Sequence, residues 1–219
     1  MPQDVRAILD NCKIITKDGS LLFSYKSTKK LLIENLGLVK RLKEISPVSS
    51  EIFKNIISPL IYRFAKLVSV VPASKFLHDS DSVGLLRHNL LVAIKAVELY
   101  KLNQKMSLEY ESEYVLLIFL SLLHDCGKVI SDFAISSGTT FNYCNDKIDF
   151  TLDDFLQKHK SDFVKISYKE KRNKEHELST AKMLQFLLYG QKSIARYLVN
   201  IQNKEAINAI LFSNTRNLL

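Results

Sequence analysis

The residues most able to do chemistry are His124 and Asp125, which follow an apolar run at residues 114–123. Gly127 and Lys128 come directly after them. A divalent metal held by nitrogen and oxygen donors needs several His and Asp side chains that face one point. We interpret the run as a core helix that carries both side chains at its buried C-terminal end. It is shorter than the about 20 residues that cross a bilayer, so we predict no membrane span.

His88 is the best candidate partner for this pair. It lies near the start of a strongly apolar segment, residues 85–102, which predicts a helix. If this helix and the helix that ends at His124 are antiparallel across a short polar loop, His88 and His124 come together. The alternative for His88 is a core histidine that only makes structural hydrogen bonds, and the same alternative holds for His124 and Asp125.

Two other histidines, His78 and His176, are further candidates for the same site. His78 precedes Asp79 in a polar loop, residues 72–84, and a histidine there also fits an ordinary loop. His176 opens an amphipathic segment, residues 176–189, but it also follows a charged run that is typical of a solvated helix face. We interpret the remaining histidine, His159, as a surface residue.

The elements that must position these residues are mostly helical, because Gly (6) and Pro (4) are scarce and strand-like alternation is rare. Two short hairpins are the exceptions: a turn at Asp18-Gly19, and a hairpin over residues 132–144 that turns at Gly138. Helices are predicted at 28–45, with a break at Gly37; from Ser50 to about residue 71, interrupted at Pro59; and at 85–102, 114–124, 149–160, 176–189 and 191–219.

Bulk composition limits the function classes only loosely. The 219 residues fit one domain with a small appendage, and the net charge of +8 suits a polyanion such as nucleic acid without proving one. Three cysteines without CxxC spacing and an N-terminus without an apolar signal indicate a reducing, cytoplasmic location. There is no GxGxxG and no GxxxxGK[ST] loop. A basic cluster fits a DNA backbone or a solvated face; it comprises Lys165, Lys169, Lys171, Arg172 and Lys174.

Three stretches carry a resemblance to a known family: PASKFLHDSDSVGLLRH (72–88), LLHDCGKVISDFAI (122–135) and KRNKEHELS (171–179). They resemble the HD-domain superfamily of metal-dependent phosphohydrolases. More narrowly, they are similar to the N-terminal HD domain of TraI-like conjugative relaxases of the MOBH class. The resemblance covers about residues 50–190, in order and with sensible gaps.

The resemblance implies an all-α HD-domain helical bundle with a central site for a divalent metal, which would be Mn, Mg, Fe or Zn. It implies an N-terminal extension at 1–47 and an HD-type domain at 48–219, with a C-terminal end that is truncated relative to the longer family members. By the same resemblance, Asp125 and Lys128 are catalytic, and Lys128 meets a phosphate. The implied metal ligands are His88, His124, Asp125, His176 and His78.

The implied function is metal-dependent cleavage of a DNA phosphodiester in conjugative transfer, with DNA and the transfer apparatus as partners. Three departures favour an alternative. Asp79 stands where the family usually has a second His, Asn173 replaces a further His, and no Asp follows Asp162. These departures fit a degenerate HD domain that binds DNA or a partner without catalysis. A separate alternative, which keeps the enzyme class and changes the substrate, is a nucleotide phosphohydrolase. No motif marks any of the nine tyrosines as a nucleophile.

Overall fold

The computed structural model describes residues 14–74, 79–103, 111–144, 147–159, 162–169 and 176–200. The helices in this part of the chain are α1 (Thr28–Glu34), α2 (Leu36–Ile45), α3 (Ser50–Ile52), a π-helical turn (Phe53–Ile57), α4 (Ser58–Val68), α5 (Gly84–Asn103), α6 (Glu111–Leu123), α7 (Lys128–Ser131), α8 (Leu152–His159), α9 (His176–Leu188) and α10 (Lys192–Asn200). The strands are β1 (Ile14–Ile15), β2 (Leu21–Ser24), β3 (Phe133–Ser137), β4 (Thr139–Phe141) and β5 (Phe163–Tyr168).

These strands form one antiparallel sheet with the order β1-β2-β5-β3-β4. One row of facing residues runs across it: Leu21 pairs with Ile166, Ile166 with Ile135, and Ile135 with Phe141. All four side chains are buried, so this face of the sheet is part of the hydrophobic core. The all-α prediction is therefore wrong, and the fold combines helices with a five-stranded sheet in the described residues.

The two predicted turns, at Asp18-Gly19 and at Gly138, are both present. The all-α prediction failed because it did not include the strand that joins the two hairpins into one sheet. Gly19 and Gly138 both adopt positive φ, 74° and 77°, which a glycine accommodates without a steric penalty. The hairpin strands on each side are then bridged by β5, which pairs with β2 and β3. Residues 163–168 carry only a short alternation, and pairing across more than a hundred residues leaves no local pattern, so sequence periodicity did not indicate it.

Helix boundaries follow the local capping chemistry. Residues 28–45 form two helices as predicted, but the break is at Asn35 and Gly37 lies inside α2. The next helical block begins at Ser50 as predicted, and Ser49 caps it, because the Ser49 side chain accepts a hydrogen bond from the Ile52 N–H. Pro59 lies in the first turn of α4, directly after the π-helical turn, so the block changes its helix type beside the proline as the predicted interruption suggests.

Helices α5 and α6 pack against each other in antiparallel order. Near one end, the Asn89 side-chain amide donates to the Leu122 carbonyl at 2.8 Å. At the other end, the Tyr100 hydroxyl donates to Glu113, and the Tyr100 and Tyr114 rings meet edge-on at 5.2 Å. This arrangement confirms the predicted pairing and brings the start of α5 beside the end of α6.

One helical segment in the described residues, Glu111–Ser131, is long and apolar enough to cross a membrane. However, 61% of its most apolar stretch is buried inside the protein, and a core helix passes the same length and composition test.

The predicted boundary between an N-terminal extension and the main domain at residue 47 stays a prediction. Leu21, Leu31 and Leu42 contribute to the same hydrophobic core as α4, α5 and α6.

Candidate metal centre

His124 and Asp125 lie in the turn that follows α6, directly after its last residue, Leu123. The turn is closed by hydrogen bonds from the Cys126 N–H to the Leu123 carbonyl and from the Lys128 N–H to the Asp125 carbonyl. Cys126 is buried and anchors the turn to the core. His124 is exposed and Asp125 is half-buried, so the predicted buried helix end is wrong in this detail. The pair instead projects from the core at a fixed point.

The structure brings His88, His124 and Asp125 together. One potential ligand atom from each of the three lies within 4.8 Å of the other two. The His88 Nε2 atom is 3.3 Å from the Asp125 Oδ2 atom, and the two imidazole rings are 6.4 Å apart at an interplanar angle of 30°. Two imidazoles and one carboxylate form a donor set that suits Fe, Mn or Zn. The residues present therefore fit a divalent transition metal.

Asp125 is ionised in this environment. Burial raises the pKa of its carboxyl, but hydrogen bonds from His88 and Lys128 outweigh that effect and hold the pKa well below its usual range. The Lys128 Nζ atom is 2.6 Å from Asp125 Oδ2. A carboxylate must be deprotonated to bind a metal, and Asp125 meets that condition at neutral pH.

Asp79 is a residue of this site that sequence reasoning did not assign to it. Its Oδ2 atom is 3.7 Å from the His88 Nδ1 atom, on the side of the ring opposite Asp125. The Arg87 Nη1 atom is 3.6 Å from Asp79 Oδ1 and 2.7 Å from Asp81 Oδ2. In the sequence, Asp79 is a departure from a family pattern and fits a loop or cap residue better than a functional acid; the available signal was the acidic HDSDSVG stretch that contains it.

Gly84 determines the position of this loop. A Cβ atom at Gly84 would lie 1.8 Å from the Asp79 carbonyl oxygen and 2.9 Å from the Ala73 backbone nitrogen. The same carbonyl accepts a hydrogen bond from the Ala73 N–H at 2.9 Å, and Asp79 itself adopts a φ of 53°. Only glycine allows this approach, which holds Asp79 against the first turn of α5.

Asn89 is a second residue that sequence reasoning missed. It is fully buried beside His88, and its amide donates to the Leu122 carbonyl two residues before His124. If the two helices slid past each other, the buried Asn89 amide and the Leu122 carbonyl would lose their hydrogen bond, and leaving both groups unpaired would cost free energy. Asn89 therefore holds the α5–α6 register that places His88 beside His124.

The remaining predicted site residues either lie outside the described part of the chain or have other partners in it. His176 is the first residue of α9, but its side chain lies outside the described part of the chain. His78, Lys171, Arg172 and Lys174 also lie outside it. In the predicted basic cluster, the Lys165 Nζ atom is 2.6 Å from Asp18 Oδ2, and Lys169 Nζ donates to the Ile130 carbonyl at 2.6 Å.

Tyr143, the first tyrosine after the His124–Asp125 turn along the chain, has a structural role. It is buried, its hydroxyl donates to the Leu67 carbonyl at 2.6 Å, and the hydroxyl accepts from the Leu152 N–H at 3.1 Å. A hydroxyl held in this way joins α4 to the start of α8 and does not present a nucleophile to the site.

Comparison with known proteins gives one family match. The TraI_2 family model, whose description reads "Putative helicase", matches residues 24–213. No curated protein matches the chain. The matched range includes His88, His124 and Asp125, together with the Asp79 loop and every strand except β1 and the first residues of β2.

Proposed function

Because the chain belongs to the TraI_2 family, we propose that it is a relaxase-type, metal-dependent phosphodiesterase that acts on DNA in conjugative transfer. Membership of a TraI-type family ties the chain to DNA and to the conjugative machinery. The observation that supports the chemistry is the convergence of His88, His124 and Asp125. ATP-driven unwinding is not part of the proposal, since the sequence has no GxxxxGK[ST] loop to hold nucleotide phosphates.

In this proposal the three converging residues hold the metal, and His78 and His176 complete its ligands. When bound, a divalent ion would supply Lewis-acid chemistry that polarises a phosphoryl oxygen and activates water or another nucleophile, which replaces the departing deoxyribose oxygen on phosphorus. The Lys128 amine, now on Asp125, turns to the scissile phosphate, where a compact positive charge is well suited to a phosphate oxygen. The two imidazoles favour Mn, Fe or Zn over Mg, which prefers oxygen ligands.

DNA would be held by basic residues, in keeping with the net charge of +8. For Lys165 to contribute, its amine would have to exchange the Asp18 carboxylate for a phosphate. The Asp18–Lys165 pair is largely exposed, so it contributes little stability and exchange is inexpensive. We propose the cytoplasm as the location, where conjugative DNA is processed.

The test is a nicking assay on supercoiled DNA with added Mn²⁺, comparing the unaltered protein with His124→Ala and His159→Ala. His159 is an exposed histidine on α8 that contacts Thr139 and Phe155 and is not one of the three converging residues, so it serves as the matched control. We expect nicking by the unaltered protein and by His159→Ala, and loss of nicking to background in His124→Ala. Equal nicking by all three proteins would contradict the proposal.

The same samples distinguish the two other functions. Release of phosphate from nucleotides without nicking would identify a nucleotide phosphohydrolase. Salt-dependent DNA binding that survives His124→Ala, with no cleavage under Mn²⁺, Fe²⁺ or Zn²⁺, would identify a non-catalytic DNA-binding module.

A further inference from the structure

His88 has a carboxylate on each side of its ring. Asp125 Oδ2 faces Nε2 at 3.3 Å, and Asp79 Oδ2 faces Nδ1 at 3.7 Å. A neutral imidazole carries a single ring N–H, so it can donate to only one of these carboxylates at a time. The shorter distance belongs to Asp125, the carboxylate that shares the metal centre with His88.

A metal at this centre changes which nitrogen carries the hydrogen. The His88 nitrogen that faces Asp125 at the metal centre is Nε2, and a coordinating nitrogen must present its lone pair. The ring hydrogen then lies on Nδ1, where Asp79 is the facing carboxylate. Closing the remaining gap to hydrogen-bond distance requires a movement of less than about 1 Å.

We propose that Asp79 is a positioning residue, which accepts a hydrogen bond from His88 Nδ1 and thereby fixes the tautomer that binds metal through Nε2. This inference rests on the proposed function, because it requires a metal at the centre. Carboxylates that orient ligating histidines in this way raise metal affinity, and their loss typically costs about 10–100-fold.

Three features of the loop hold Asp79 in place for this role. Its side chain is only 13% exposed, and Arg87, one residue before His88 on α5, faces its other carboxylate oxygen at 3.6 Å. Its backbone has a φ of 53°, a conformation that Asp, Asn and Gly adopt more readily than other residues. Its carbonyl is fixed by Ala73 against Gly84. The loop thus presents the carboxylate to α5 from a defined direction.

The experiment measures Zn²⁺ and Mn²⁺ affinity by calorimetry, at one pH, for the unaltered protein and for Asp79→Gly and Asp79→Asn. Both replacements tolerate the positive φ, so neither strains the loop. We expect Asp79→Gly to lose about 10–100-fold in affinity. Asp79→Asn retains an oxygen acceptor and should lose less. Asp81→Asn is the matched control: Asp81 also contacts Arg87, and this variant should keep its affinity.

A second readout separates positioning from mere structure. In ¹⁵N-histidine NMR spectra of the Zn²⁺-loaded protein, we expect His88 to show a hydrogen-bonded Nδ1–H, and the Nδ1–H signal to shift and exchange faster in Asp79→Gly. Equal affinity and an unchanged Nδ1–H signal in Asp79→Gly would overturn this inference alone. No metal binding by the unaltered protein would overturn the proposed function, and this inference with it.

Discussion

Asp125 is the residue on which the competing interactions of the site converge. Its Oδ2 atom lies 2.6 Å from Lys128 Nζ and 3.3 Å from His88 Nε2. A metal ion would bind a carboxylate oxygen of Asp125, so Lys128 competes with the metal for this carboxylate. The convergence of His88, His124 and Asp125 could be predicted from sequence, because it follows from two apolar helices and a short loop. The approach of Asp79 could not, since it depends on the path of an irregular loop.

Substituting Lys128 tests this competition at the residue scale. In Lys128→Gln, the carboxylate loses its competing cation, and a metal ion no longer meets a nearby positive charge. A partly exposed ion pair is worth at most about 1 kcal/mol, so we expect Mn²⁺ to bind up to about fivefold more tightly by calorimetry. DNA cleavage should fall, because the proposed phosphate contact is lost. Weaker Mn²⁺ binding in Lys128→Gln would show that the lysine supports the metal site.

Among the secondary-structure elements, α5 and α6 form a packed pair, and the loop before α5 adds Asp79 to it. The pairing could be anticipated from apolar segments on either side of a polar loop. The register could not, because it depends on one buried hydrogen bond from Asn89 to the Leu122 carbonyl. The position of the loop likewise depends on the close approach of the Asp79 backbone to Gly84. In the sequence, Gly84 indicates only the end of a loop and not this contact.

Gly84→Ala tests the loop. The added methyl group would collide with the Asp79 carbonyl, which is backbone and must move, so we expect a loss of about 1–3 kcal/mol in the free energy of unfolding. Metal affinity should fall as well, because Asp79 is displaced from His88. Gly37→Ala is the matched control: nothing lies within 4 Å of its added Cβ in α2, and alanine favours helices. Urea unfolding gives both values, and equal stability of the two variants would contradict the packing at Gly84.

At the scale of the whole molecule, the sheet joins the beginning of the chain to its middle. Strand β5 lies between β2 and β3, so Leu21 and Phe23 belong to the core beside Val164 and Ile166. The individual hairpins could be read from their glycine turns. The complete sheet could not, because strands short enough to look like loops acquire their partners only through long-range register.

Phe23→Ala tests the long-range pairing. Phe23 is 2% exposed and faces Val164 across β2 and β5, so truncation should cost about 3–5 kcal/mol in the free energy of unfolding. Ile15→Ala on the edge strand is the control, since Ile15 is 55% exposed and a surface change costs within about 0.5 kcal/mol. If urea unfolding showed a similar small loss for both variants, β2 would not be part of the core.

The metal content of the purified protein is the most informative test of the proposed metal centre. The protein would be purified without chelators, as the unaltered chain and as the double variant His124→Ala with Asp125→Ala, and analysed by elemental mass spectrometry. We expect near-stoichiometric Mn, Fe or Zn in the unaltered protein and its loss in the double variant, with both proteins folded by circular dichroism. An unaltered protein that contains no metal and acquires none on reconstitution would contradict the proposed metal centre.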